Sequence, residues 1–211
     1  GRPLLTMGAN FGDIDTDGYL DFYAGTGSPY FGSLLPNEMY RNNAGRNFQD
    51  VTTAGGFGHL QKGHGIAFAD LNSDGHQEII SNMGGAFAGD NFFDAVFANP
   101  GNTNHWLKLK LTGTKSNRAA IGARIKVVAR GPQGSREIHR MVCSGGSFGA
   151  SPLQQEIGLG SSTTIERVEV WWPASGITNQ VTNLSIDQAY RVKEGANAAE
   201  PIPSRSFPLT R

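Results

Sequence analysis

Apolar and polar residues alternate along much of this chain in short runs, the period-two signature of half-buried strands. "LKLKL" from Leu107, "RIKVVA" from Arg124 and "RVEVWW" from Arg167 each put aliphatic residues on one face and charged residues on the other. Gly131-Pro132, Gly134-Ser135, Gly160-Ser161 and Pro173-Ala174-Ser175-Gly176 separate these runs as turn signals. The pattern predicts strands over Trp106–Leu111, Ile121–Ala129, Arg136–Cys143, Leu153–Leu159, Thr164–Trp172, Gln180–Leu184 and Tyr190–Lys193. About seven strands in roughly 90 residues fit an antiparallel β-sandwich. No amphipathic helical run exceeds about three turns, which excludes an all-α fold.

The first half repeats itself. "MGANFGDIDTDGYLDFYAGTG" begins at Met7 and "HGIAFADLNSDGHQEIISNMG" at His64, so Asp13 and Asp70 are 57 residues apart. Each copy is a strand, an acidic loop with a central Asp-Gly, and a second strand. "EMYRN" and "NFQDVT", joined by Asn43-Ala44-Gly45, follow the first copy, and "FFDAVFANPGN" after the second echoes "NEMYRNNAG". A period of this size marks propeller blades or related β arrays. The expected fold is therefore all-β: two propeller-blade-like calcium-loop repeats over residues 1–103, an antiparallel β-sandwich over 104–195, and an extended Pro-containing tail over 196–211.

The loops carry the candidate chemistry. The first reads Asp13, Asp15, Asp17, Gly18, Tyr19, Asp21, and the second Asp70, Asn72, Asp74, Gly75, His76, Glu78. Calcium takes six to eight oxygens at about 2.3–2.6 Å in a flexible cage. Side-chain oxygens at loop positions 1, 3, 5 and 9 converge only if the backbone curls tightly, and glycine at position 6 permits the curl. Position 7, Tyr19 or His76, then offers its backbone carbonyl. Seven of the 18 acidic residues fall in these two loops. A metal-free Asp-Gly hairpin turn explains Asp17-Gly18 and Asp74-Gly75 but not the surrounding carboxylates. An EF-hand needs glutamate at position 12, where Ala24 and Ser81 stand, and helices where strands are predicted. Two calcium sites are expected, and magnesium suits this donor pattern less well.

Composition sharpens the division. The net charge is zero, yet residues 1–103 hold 11 acidic against 4 basic residues, and residues 104–211 hold 7 against 14. The acidic half suits a cation. The basic half either meets an acidic partner, a neighbouring copy included, or is simply solvated; its Lys and Arg alternate along strands, which favours solvation. Glycine, at 29 residues, fits many tight turns. The one cysteine, Cys143, allows no intrachain disulfide and is expected to be a buried small residue. No run of 18 apolar residues exists, so no membrane span is expected, and no signal peptide is read at Gly1–Leu5.

The loops and the segment "YRNNAGRNFQDVTTAGGF" resemble FG-GAP/VCBS repeats, the blades of integrin-α-like propellers. "NHWLKLKLTGTKSNRAAIGARIKV", "IGLGSSTTIERVEVWWPASG" and "YRVKEG" resemble the ASPIC/UnbV domain that follows such repeats in cartilage acidic protein and bacterial relatives. The resemblance implies an extracellular or cell-surface, calcium-stabilised structural or adhesion module, and brings no catalytic residues. Integrin-like propellers use about seven blades; two leave open sheet edges, which are sticky. Hence two alternatives: a filament subunit joined by strand addition at open edges or through the tail, and a carbohydrate- or protein-binding module of a larger secreted protein. Expected partners are copies of itself, a glycan or a surface protein.

Other features carry less. Gly145-Gly146-Ser147-Phe148-Gly149 matches a nucleophile elbow but precedes Ser151-Pro152 and a strand instead of a helix, so no enzyme is expected. The five histidines lack zinc spacing, and no basic stripe with interleaved aromatics suggests nucleic acid. Of Trp171 and Trp172, one ring should face the core and the other the surface, where it is a candidate to stack on sugar.

Overall fold

A computed structural model describes residues 4–28, 30, 35–85, 87–146 and 148–209. Among these there are strands and turns and no helix. The first repeat folds as a four-stranded sheet in the order β1 (Thr6–Gly12), β2 (Asp21–Thr26), β3 (Glu38–Asn42), β4 (Phe48–Asp50). The second forms a three-stranded sheet, β5 (Gly63–Ala69), β6 (Glu78–Met83), β7 (Ala95–Phe97). Both are antiparallel, and each acidic loop joins the first two strands of its sheet.

The two sheets pack face to face. Tyr23 and Met39 of the first meet Ile66, Phe68 and Ile79 of the second, all almost fully buried. The 57-residue correspondence shows which faces are used. Phe68, Ile79 and Phe97 of the second sheet match Phe11, Phe22 and Tyr40 of the first. The former line the shared core; the latter form a ladder with Phe48, at centroid distances of 5.7, 4.7 and 5.1 Å, in which Phe11 is 53% exposed. Identical pattern positions thus have opposite fates, because only one of the two faces has a neighbour.

The remaining strands make a sandwich. One sheet runs β10 (Gly134–Met141), β9 (Arg124–Gly131), β12 (Thr164–Trp171), β13 (Thr178–Val181). The other runs β11 (Gln155–Gly160), β8 (His105–Thr112), β14 (Gln188–Lys193), β15 (Ala199–Ile202). Leu107, Leu109, Val127, Val168, Val170 and Trp172 are fully buried between them, as alternation requires. A bulge between Ile165 and Arg167 keeps both Ile165 and Val168 inward.

Four details depart from the pattern. β8 and β14 pair in parallel, so the sandwich is not wholly antiparallel; the chain between them passes through the other sheet and needs no hairpin. The strand expected from Ile121 begins at Arg124, because Ala120 and Gly122 have φ of 60° and 92° and form a turn. The tail supplies β15, which adds to β14 of its own sandwich. Cys143 is exposed, contrary to the expected burial, since β10 ends at Met141 before it. Trp172 is buried and donates to Asn179 Oδ1 at 2.5 Å, whereas Trp171 is half-buried beside Arg124. Ser147 lies outside the described residues, but Gly146 and Gly149 on either side bridge each other in a turn.

Candidate metal centre

The first loop curls through two left-handed residues, Thr16 at φ 57° and Gly18 at φ 93°. The curl lets Gly18 N–H donate to Asp13 Oδ2 at 2.9 Å and Tyr19 N–H to Asp17 Oδ1 at 2.8 Å. Asp21, at the start of β2, closes the base. Its Oδ2 accepts Ile14 N–H at 2.8 Å and its Oδ1 accepts Asn42 N–H at 2.7 Å. One carboxylate oxygen each from Asp13, Asp15 and Asp21 lies within 4.8 Å of the others. Oxygens on opposite sides of a calcium ion stand about 4.6–5.2 Å apart, so the spread suits that ion.

Two observations show that donors are left over for a cation. Asp13 Oδ1 is buried and has no hydrogen-bond partner. A buried unpaired carboxylate oxygen is costly unless something cationic meets it. The backbone carbonyls of Asp13, Ile14, Asp15, Thr16, Asp17, Gly18 and Leu20 all accept hydrogen bonds. That of Tyr19, at position 7, accepts none among the described residues.

Burial drives the electrostatics. Desolvation raises the Asp13 carboxyl to about 7, against the pull of Arg140, and the Asp21 carboxyl to about 8. Asp17 is also raised, mainly by desolvation. Asp15 is braced from the solvent side by Arg41, Nε to Oδ2 at 2.5 Å. A divalent cation in this cage would supply the positive charge that keeps the carboxylates ionised. Asp13, Asp15, Asp17, Asp21 and the Tyr19 carbonyl are the groups placed to hold it.

The second loop reproduces the first loop's curl and four of its hydrogen bonds. Ser73 and Gly75 have φ of 61° and 98°. Gly75 N–H donates to Asp70 Oδ2 at 2.6 Å, His76 N–H to Asp74 Oδ1 at 2.9 Å, Leu71 N–H to Glu78 Oε2 at 2.8 Å and Asn99 N–H to Glu78 Oε1 at 3.4 Å. Its occupancy by protein groups is greater. Asn72 turns its amide toward Asp74 Oδ2 at 2.8 Å, and both Asp70 oxygens are engaged, Oδ1 by Asp74 N–H at 3.1 Å and Oδ2 also by the buried ammonium of Lys108. Among the described residues only the first loop gathers three acidic groups at metal-ligand spacing.

His76 has a side-chain role as well. Its Nδ1 lies 2.9 Å from Thr16 Oγ1 and its Nε2 accepts Asn102 N–H at 3.4 Å, which ties the loops together. Asn42 and Asn99, also 57 residues apart, are loop residues that spacing alone did not single out. Each brings an N–H to position 9 and donates its side-chain amide to the carbonyl at position 8, Leu20 or Gln77, at 3.0 Å. Their sequence signal is the echo between "YRNN" and "FANP".

Residues 13–81 match the family model of the FG-GAP-like repeat, and residues 113–199 match the model described as ASPIC and UnbV. No curated protein matches the chain significantly. The two resemblances therefore hold, in the expected order along the chain.

Proposed function

We propose that this chain, an FG-GAP-like repeat region joined to an ASPIC and UnbV domain, is a calcium-stabilised structural or adhesion module that works outside the cell or at its surface. FG-GAP-like repeats are typical of extracellular or surface proteins, which supports this reading. No helix of the described residues is long and apolar enough to cross a membrane. The observation that carries the calcium reading is the orphaned, buried Oδ1 of Asp13, a residue whose carboxylate gathers with those of Asp15 and Asp21. Calcium neutralises a cage whose carboxyls otherwise resist ionisation, and so holds the β1–β2 turn in its curled form. The first loop is the stronger site. The second, with Asn72 in place of a carboxylate and Lys108 on Asp70, binds more weakly. The module binds and supports; it does not catalyse.

Calorimetric titration with calcium tests this reading. Wild type should show one tighter and one weaker site, Asp15→Asn should lose the tighter, and Asp74→Asn the weaker. Absence of binding heat at millimolar calcium would exclude it.

A second reading, assembly with further blade-like sheets, has its own support. Phe11, Phe22 and Tyr40 of the ladder occupy positions that in the second sheet face the shared core, and a groove of about 710 Å³ runs from Phe11 to Arg124, His139 and Met141 of the sandwich. At the far end Val96, matching buried Met39, is 52% exposed. Sedimentation of wild type against Phe11→Asp tests it: equal monomeric profiles at high concentration would count against stacking of copies.

A further inference from the structure

The first loop is two-sided. Its inner face, the gathered carboxylates of Asp13, Asp15 and Asp21, is the cage just described. Its outer face is bonded throughout to the sandwich. Arg140 Nη2 reaches Asp13 Oδ2 at 3.1 Å and Gly18 O at 3.2 Å. Arg136 Nη2 reaches Asp17 O at 2.6 Å. β11 is an edge strand, and its outward amides end on the loop: Gly158 N–H on Asp13 Oδ2 at 3.2 Å, Gly160 N–H on Thr16 O at 3.0 Å. The approach is too close for side chains. A Cβ at Gly158 would lie 2.4 Å from Asp13 Oδ2, and one at Gly18 would lie 2.4 Å from Arg136 Nη2. Asp13 is thus shared: Oδ1 has no hydrogen-bond partner, while Oδ2 is held by Arg140 and Gly158 of the sandwich and by Gly18 of its own loop.

We propose that the first loop is a cation-dependent docking surface for the sandwich, with Arg140 as the positioning residue that couples the two. This inference rests on the calcium reading. The physical reason is that the docking groups are not side chains on a stiff strand. They are carbonyls and one carboxylate oxygen of a nine-residue curl, and their directions are fixed only while the curl is closed. Without the cation, the inward carboxylates repel one another, the curl opens, and the carbonyls of Thr16, Asp17 and Gly18 turn away from β10 and β11. Linkage is reciprocal: a ligand that stabilises the curl stabilises the docked sandwich. The acidic and basic halves of the chain are the two sides of this contact.

Amide hydrogen exchange on the intact chain tests the proposal, read at Gly158 and Gly160 with Val127 in the sandwich core as the internal control. In calcium, both glycine amides should be protected. On chelation their exchange should rise at least tenfold more than that of Val127, which follows only the change in global stability. Arg140→Met should raise Gly158 exchange in calcium without changing the calcium stoichiometry, and Arg140→Lys should restore part of the protection. Binding heat in calorimetry with Gly158 and Gly160 indifferent to chelation would overturn the docking proposal alone. Absence of binding heat would overturn it together with the calcium reading. A rise at Val127 equal to that at both glycines would show that chelation acts only through global stability and would also overturn it.

Discussion

Replacing Asp13 by asparagine removes one charge at nearly constant volume, and the structure indicates what that costs. The Asp13 and Arg140 side chains are 3% and 7% exposed, and the ion pair is 3.1 Å long. Breaking a buried pair from one side strands the other charge, at about 3–5 kcal/mol. Asparagine keeps one carbonyl oxygen for Gly18 and Gly158, so the cost falls at the lower end, about 3 kcal/mol. Calcium adds a separate term. With free calcium at about 100 times the dissociation constant, binding stabilises the fold by about 2.7 kcal/mol. Urea denaturation of wild type, Asp13→Asn, Arg140→Met and the double variant, each in calcium and in chelator, separates the terms. In chelator, Asp13→Asn should shift the midpoint down by about 1–1.5 M, taking a slope of about 2–3 kcal/mol/M. The double variant should cost clearly less than the two single losses together, because neither charge is then stranded. The calcium increment should vanish in Asp13→Asn and persist in Arg140→Met. Additive losses, or an Asp13→Asn variant that keeps the full calcium increment, would refute the reasoning.

Other consequences follow from the same geometry. Asp21 has its carboxyl raised from 3.8 to about 8 by desolvation, so the unfolded chain releases this proton more readily than the folded one. Without metal, stability should therefore fall as pH rises from about 4 to 8, and calcium binding near pH 7 should release protons, measurable by titration in buffers of different ionisation enthalpy. Glu194 accepts Thr114, Lys115 and Ser116 N–H and the Ser116 and Ser175 hydroxyls, which hold its carboxyl far below the usual range. Its contribution is present above the unfolded value of 4.5 and lost as pH falls toward the folded one. Glu194→Gln should lower the neutral-pH melting temperature and flatten the acid limb of the stability curve. Trp172→Ala should cost about 3–5 kcal/mol by thermal or urea unfolding, since the ring is fully buried and its N–H is paired.

The acidic loops and their period were legible because both are local. Nine residues fix the curl, and the 57-residue spacing is visible without any knowledge of contacts. The sandwich strands were legible for the same reason, through Leu107, Leu109 and Leu111 facing inward. Lys108, between them, shows the limit. Alternation assigns it to solvent, yet it is 4% exposed, because the face opposite the core is covered by the second loop. Arg136 and Arg140 were read as solvated for the same reason, and both reach the first loop. A one-dimensional pattern reports which face a residue takes and not what lies against that face. Phe11 and Phe68 make the point from the apolar side: one position in the repeat is half-exposed and the other fully buried.

The central claim is that cation binding at the curled loops holds this molecule together, and the thermal midpoint of the intact chain tests it most directly. Calcium at about 1 mM should raise the midpoint relative to chelator by about 5–11 °C, from about 2.7 kcal/mol and 2–4 °C per kcal/mol for a chain of this size. A midpoint that chelator leaves unchanged would contradict the account.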